Sequence, residues 1–250
     1  MFNTKLKWHA EHMRSHLDEF YNLYLTRPIT DNTGGMKSPH AFSTWYIIKT
    51  LQPLCIVESG VYKGLGTWLM EQACPTAKLV CIEPNASNLV YKSKKALYRT
   101  TDFLDTDWSN LPKNDTVLFF DDHQDTLERI KYAHSFGFKK IIIEDNYPPQ
   151  QGDCYSPKKI LSNKKFVLDR DGVKSWFDPI LEDYEYLSNT LEVYQELPAV
   201  FKADKTRWGD LWNFEYETVT PLLNESDKNL YPEFYNERYD YTWLCYLELK

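Results

Sequence analysis

The chain has 250 residues, 42% hydrophobic and 16% aromatic, and carries a formal net charge of −7. That suits one sizeable α/β domain and excludes a protein built to neutralise a phosphate backbone, so no nucleic-acid partner is expected. Cys55, Cys74, Cys81, Cys154 and Cys245 are odd in number and scattered, neither a disulfide framework nor a CxxC zinc pattern; with no N-terminal apolar stretch and no run of roughly 18 apolar residues, a soluble cytoplasmic protein without a membrane partner is expected.

Residues 3–25 place Leu6, Met13, Leu17, Phe20 and Tyr24 near helical spacing and predict one amphipathic helix, ended by Arg27 and Pro28. His9, His12 and His16 fall on neighbouring turns. Without an acidic or Cys partner at ligand spacing, they read as a polar stripe rather than a metal cluster. Residues 29–37 form a loop with Gly34 and Gly35, and Ser38 with Pro39 reads as the N-cap and first position of a helix reaching about Leu51. This loop brings Met36, Lys37 and His40 to where they could cover a ligand.

Leu54 to Val57 is an apolar run too short for a helix and right for a strand buried on both faces, ended by Glu58. Gly60, Gly64 and Gly66 follow, and Thr67 to Cys74 reads as a helix. The order is ExGxxxGxG, not the GxGxxG that brings a helix N-terminus up to a pyrophosphate. Tight-turn geometry alone would also explain the glycines. Lys78 to Ile82 is a second buried strand, ended by Glu83, and a carboxylate there suits a ribose with two free hydroxyls. Pro84 and Asn85 make a turn and a helix is expected after it to about Ala96, then a short strand over 97–101 followed by Asp102, which could equally cap the next turn.

Asp115 to Asp122 is the clearest strand, ending in two carboxylates and His123; residues 126–136 form a helix with Leu127, Ile130, Ala133 and His134 along one side. Lys140 to Ile143 is the fifth strand and ends in Glu144, Asp145 and Asn146. Strands alternating with helices predict a doubly wound, mostly parallel Rossmann-like α/β sheet. Ser156 and Pro157 start a short helix, residues 165–235 lack the alternation, Asp178 and Pro179 open a helix reaching Leu197, and Tyr241 to Leu249 reads as an antiparallel edge strand. The domain reading is a single unit: an N-terminal helix over 3–25, a cofactor-binding core over 38–160 and a C-terminal region over 161–250 that shapes an acceptor pocket.

The glycine turn with its two strand-end acids resembles motif I of class I S-adenosylmethionine (SAM) methyltransferases. The resemblance implies cofactor contacts at Glu58, Gly60, Gly64, Gly66, Glu83, Asp102 and Met36. Two adjacent strand ends, DDH at 121–123 and EDN at 144–146, offer oxygen donors without Cys, a set suited to Mg²⁺ or another hard divalent cation. FFDDHQ and IIIEDN resemble the metal-dependent O-methyltransferases of the catechol type, and the cephalosporin-hydroxylase-like and macrocin-type sugar O-methyltransferases. Carried over, Asp122, Asp145 and Asn146 become ligands with Glu144 as a further carboxylate, and Asp121 points the other way. The catechol type has a Lys base three residues beyond the metal Asp; Asp125 stands there in this chain, leaving His123 or Asp125 as the catalytic base, or the metal alone.

The resemblance covers about residues 34–157 and implies a SAM-dependent, metal-assisted O-methyltransferase acting on a small hydroxylated acceptor, a sugar being one candidate. The alternatives are a SAM-binding module without catalysis that acts through its aromatic C-terminal region, and an NAD-dependent oxidoreductase, which the glycine spacing disfavours. Asp153, Tyr155, Trp176, Trp208 and Trp212 are acceptor-binding candidates, although core packing accounts for most aromatic residues.

Overall fold

The structure, a computed structural model, describes residues 6–212 and 219–250. Its strands are β1 (Cys55–Ser59), β2 (Lys78–Ile82), β3 (Leu97–Arg99), β4 (Thr116–Phe120), β5 (Lys140–Ile143), β6 (Phe166–Arg170), β7 (Val173–Phe177), β8 (Leu191–Glu196) and β9 (Cys245–Leu249). Its helices are α1 (Ala10–Arg14), α2 (Leu17–Tyr24), α3 (Ser38–Leu51), α4 (Leu65–Ala73), α5 (Thr126–Ser135), α6 (Pro157–Ser162), α7 (Leu181–Thr190) and α8 (Pro232–Asn236). Seven strands form one sheet in the order β3-β2-β1-β4-β5-β9-β8, with β9 antiparallel to both neighbours. This is the doubly wound, mostly parallel α/β sheet expected, extended by one strand, β8, beyond the antiparallel C-terminal one.

Alternating side chains of the central strands feed two apolar layers. Ile56, Leu79, Val117, Phe119, Ile142 and Tyr246 pack under α2, α3, α4 and α8, whereas Val57, Val80, Leu118, Phe120, Ile141 and Leu247 pack against α5 and α7. Strands buried on both faces must be apolar at every position, which is why these runs were readable without periodicity. All five cysteines are free and buried. Among the described residues no helix is long and apolar enough to cross a membrane.

Several local expectations are corrected. The predicted N-terminal helix is two helices broken at Ser15–His16, and residues 3–5 lie outside the described residues. Lys37, not Ser38, is the N-cap of α3, and α4 starts at Leu65 with Gly64 as its left-handed N-cap. Glu58 lies inside β1 rather than ending it. No α-helix follows Glu83: Asn85 Oδ1 accepts from Ser87 N at 3.2 Å, and only a single 3-10 turn, Ala86–Asn88, forms. His134 is exposed, and Arg129 takes the inward position on α5. The predicted helix from Asp178 to Leu197 is α7 followed by β8, and the β6–β7 hairpin precedes it.

Register aligns the tips of four strands. Ile82 pairs with Ser59, Ser59 with Phe120, and Phe120 with Ile143. One residue further on, Glu83, Gly60, Asp121 and Glu144 therefore stand side by side at the carboxyl edge of the sheet, where doubly wound folds bind ligands.

Candidate functional site

Two adjoining chambers open over this edge. The first, about 280 Å³, is lined by Gly60, Glu83, Asp102, Asp122, Arg129 and the Gly34–Gly35 loop among others. The second, about 370 Å³, is lined by Met36, His40, Glu144, Asp145, Tyr147 and Arg207 among others. Gly34, Gly35, Asp121 and His123 border both. The loop over residues 31–37 is fastened to the glycine turn: Tyr62 OH donates to the Thr33 carbonyl at 3.0 Å and Lys63 Nζ to the Asp31 carbonyl at 2.9 Å.

The glycine turn is built by backbone proximity. Gly60 has φ +91, and a Cβ there would overlap the Asp121 carbonyl, so the turn after β1 lies directly on the end of β4. Glu83 organises the same turn, its Oε2 accepting from Val61 N at 3.2 Å and Tyr62 N at 2.8 Å and its Oε1 from Asn85 N at 2.9 Å. Glu58, expected to contact a cofactor, instead faces α4. It accepts from Thr67 Oγ1 and, at 3.2 Å, from Cys81 Sγ, and Gly66 leaves room for its carboxylate. Burial pushes Glu58 up to about 7. It lines neither chamber.

The two acids ending β4 part company. Phe119 and Phe120 enter opposite layers, so Asp121 continues on the α3 side and Asp122 on the α5 side. Asp122 Oδ2 accepts from Ser59 Oγ at 2.6 Å and Arg129 Nε at 3.0 Å. Arg129 also grips Asp102 through two bonds, Nη1–Oδ1 2.6 Å and Nη2–Oδ2 2.7 Å, and its guanidinium holds Asp102 below the usual carboxylate range. Sequence reading missed Arg129; its one signal was a cation within the apolar stripe of α5.

Asp121, Glu144 and Asp145 converge, with one carboxylate oxygen of each lying within 4.8 Å of the others. Burial, then the neighbouring carboxylates, pushes Asp121 and Asp145 well above the usual range. Glu144 also meets the buried His40 Nδ1, and His40 Nε2 meets the Asp240 carbonyl. Burial, and after it the Arg207 charge, lowers His40 to about 3, so it is neutral. The oxygen trio is thus Asp121, Glu144 and Asp145, not the Asp122, Glu144, Asp145 and Asn146 set expected. Asn146 is spent on structure: Nδ2 donates to Tyr194 OH at 3.1 Å and the Trp243 carbonyl at 3.0 Å, and Oδ1 accepts from Lys158 N at 2.9 Å.

Of the two expected bases, Asp125 is the N-cap of α5, accepting from Glu128 N at 3.0 Å, and lines neither chamber. His123 borders both, with Nδ1 3.1 Å from Asp153 Oδ2 and 3.2 Å from Asp145 Oδ2. The bond to Asp153 raises His123 to about 9, so its ring is charged at neutral pH. Asp153 and Trp208, two of the acceptor-binding candidates, line the second chamber. Tyr155 instead stacks on Phe166 at 4.7 Å, Trp212 on Trp243 at 5.2 Å, and Trp176 lies exposed on β7. Arg207, which sequence reading also missed, donates from Nη1 to Tyr147 OH at 3.1 Å.

No family model and no curated protein matches the chain. Among solved structures, it is similar to CmcI in a Mg-SAM form (22% identity, 44% of this chain and 53% of that one, TM-score 0.36). It is also similar to an SAH-bound Podospora anserina methyltransferase (14%, 57% and 74%, TM-score 0.39) and to the SAM-bound O-methyltransferase TomG from Streptomyces achromogenes (17%, 57% and 67%, TM-score 0.36). The chain spans about half the length of CmcI, 53%.

Proposed function

We propose that this chain is a SAM-dependent, divalent-cation-assisted O-methyltransferase acting on a small hydroxylated acceptor. The observation that carries the reading is the strand-tip register. It sets a carboxylate suited to a ribose, Glu83, and a buried oxygen trio, Asp121, Glu144 and Asp145, on neighbouring strands with the Gly60 turn between them. Glu83 and Asp102 line the chamber that would take the nucleoside, and Met36 lines its neighbour. The donor chemistry of the trio fits Mg²⁺: three carboxylates, no nitrogen or sulfur, in a buried setting that, with their mutual repulsion, disfavours the charged form of Asp121 and Asp145 until a cation joins them.

When bound, SAM would supply an electrophilic methyl group, and the cation would lower the pKa of an acceptor hydroxyl and hold its oxygen. The chain's own groups do the rest. Gly34 and Gly35 border both chambers and Met36 the second, and Trp208 and Tyr147, ring centroids 5.0 Å apart, offer aromatic surface to an acceptor. The Asp153 carboxylate beside His123 favours its charged ring, so imidazole is not assigned as the proton acceptor.

SAM should raise the melting temperature, S-adenosylhomocysteine should compete, and chelator should abolish methyl transfer. Asp145→Ala should lose turnover and keep SAM binding. Absence of any thermal shift would remove the reading, full activity in chelator would remove its metal part, and SAM binding without turnover across a broad acceptor panel would favour a non-catalytic SAM-binding module.

A further inference from the structure

A second donor cluster adjoins the oxygen trio and differs from it in chemistry. His123 Nδ1 lies 3.1 Å from Asp153 Oδ2 and 3.2 Å from Asp145 Oδ2; Cys154 Sγ lies 3.4 Å from Asp153 Oδ1 and 4.0 Å from Asp145 Oδ2. One donor atom of each of the four residues lies within 4.8 Å of the other three; a tetrahedron with bonds of ~2.0–2.3 Å has edges of roughly 3.3–3.8 Å, so the set is gathered round one point and has to contract only modestly to close on a cation. The donors come from three places in the chain: the turn after β4, the tip of β5 and the loop before α6. That loop is pinned, with Lys159 Nζ donating to the Gly152 carbonyl at 2.9 Å and the Cys154 carbonyl at 2.7 Å and Ser156 Oγ to the Tyr147 carbonyl at 2.6 Å.

The competing explanation is that an imidazolium between two carboxylates needs no metal. That pairing accounts for the position of His123 but not for a thiol directed at the same two carboxylates, and Cys154 and Asp145 are each only 4% exposed. One nitrogen, one sulfur and two carboxylates are a poor set for Mg²⁺ or Ca²⁺ and a good one for zinc. We propose that His123, Asp145, Asp153 and Cys154 form a binding site for zinc or a comparably soft divalent cation, adjoining the oxygen trio and sharing Asp145 with it. A carboxylate has two oxygens and can serve both clusters, so filling one site alters the other. Ligation needs a thiolate and a neutral imidazole, so cation uptake releases protons from both Cys154 and His123.

The test uses the chelator-stripped full chain titrated with Co²⁺ and then Zn²⁺ alone, without SAM or acceptor, so that its outcome is independent of methyl transfer. The expected result is stoichiometric cobalt binding with a thiolate-to-cobalt charge-transfer band, displaced by Zn²⁺ and not by equal Mg²⁺, with proton release in weak buffer. Cys154→Ser should remove the band and weaken zinc binding at least about tenfold, and Asp153→Asn should weaken it comparably with the thiol retained. If Cys154→Ser does not fold, Asp153→Asn decides the matter. A wild-type cobalt complex without the thiolate band, or zinc affinity unchanged in Asp153→Asn, overturns the proposal.

Discussion

Arg129 holds Asp102 in a two-pronged ion pair at 2.6 and 2.7 Å and reaches Asp122 from the same guanidinium. One buried cation thus ties the tip of β3 to the tip of β4 across the first chamber. Arg129→Ala leaves Asp122 facing an uncompensated pocket and should cost roughly 2 kcal/mol, discounted because Asp102 is partly exposed. Arg129→Lys cannot reproduce the fork and should recover little of it. Denaturant melts check both, and a stability equal to wild type in Arg129→Ala would remove the clamp from the account.

Asp121 and Asp122 should separate by experiment as they do in space. Asp121→Asn relieves like charge in the trio, so it should hold or raise the melting temperature while weakening Mg²⁺ binding at least about tenfold. Asp122→Asn removes the charge facing Arg129 and Ser59, so it should lower the melting temperature and leave Mg²⁺ affinity near wild type. Calorimetric Mg²⁺ titrations beside thermal melts read both effects, and the reverse pattern would restore the assignment of Asp122 as ligand.

Glu58 makes a pH prediction of definite sign. Its folded-state value, about 7, lies above the ordinary glutamate value, so the unfolded chain gives up this proton first. Its contribution is fully present below about pH 4.3 and is lost as pH rises through 7. Glu58→Gln should match wild type near pH 4 and be more stable above pH 7, by an amount of order 3 kcal/mol. Paired urea melts at the two pH values check it; a gap that does not grow with pH would contradict the burial argument.

Gly60→Ala should damage the site more than its size suggests. The left-handed backbone costs about 1 kcal/mol for a residue with a Cβ, and the new methyl overlaps the Asp121 carbonyl. The turn or the end of β4 must move, so loss of stability and of Mg²⁺ affinity should appear together. Wild-type Mg²⁺ binding in this variant would uncouple turn and trio.

The central strands were legible because Val57, Leu118 and Ile142 belong to runs that are apolar on both faces, and strand-end acids were legible as site candidates because carboxylates rarely close such runs for packing reasons. Which acid faces inward was readable too, since counting alternation from Phe119 and Phe120 gives Asp121 one side and Asp122 the other; the family pattern displaced that count. Asn146 was misassigned because a buried amide offers the same atoms to a cation as to Lys158 N, Tyr194 and Trp243. The helix expected after Glu83 fails because Asn85 turns the chain on Ser87 and because Lys92, Lys94 and Lys95 add repulsion without apolar periodicity. Arg207 carries no local signal at all, since only the tertiary fold brings it to Tyr147.

The pairing of β5 with β9 joins Ile142 to Tyr246 and Ile143 to Cys245, about a hundred residues apart along the chain, and closures of that span are slow. Until β9 arrives, β5 is an open parallel edge of apolar residues, the kind of template on which chains aggregate. Glu144 and Asp145 follow β5 directly, so the acidic tip stands on a strand whose outer partner comes from the C-terminal segment. Kinetic vulnerability and chemical function are thereby concentrated at the same place in the molecule.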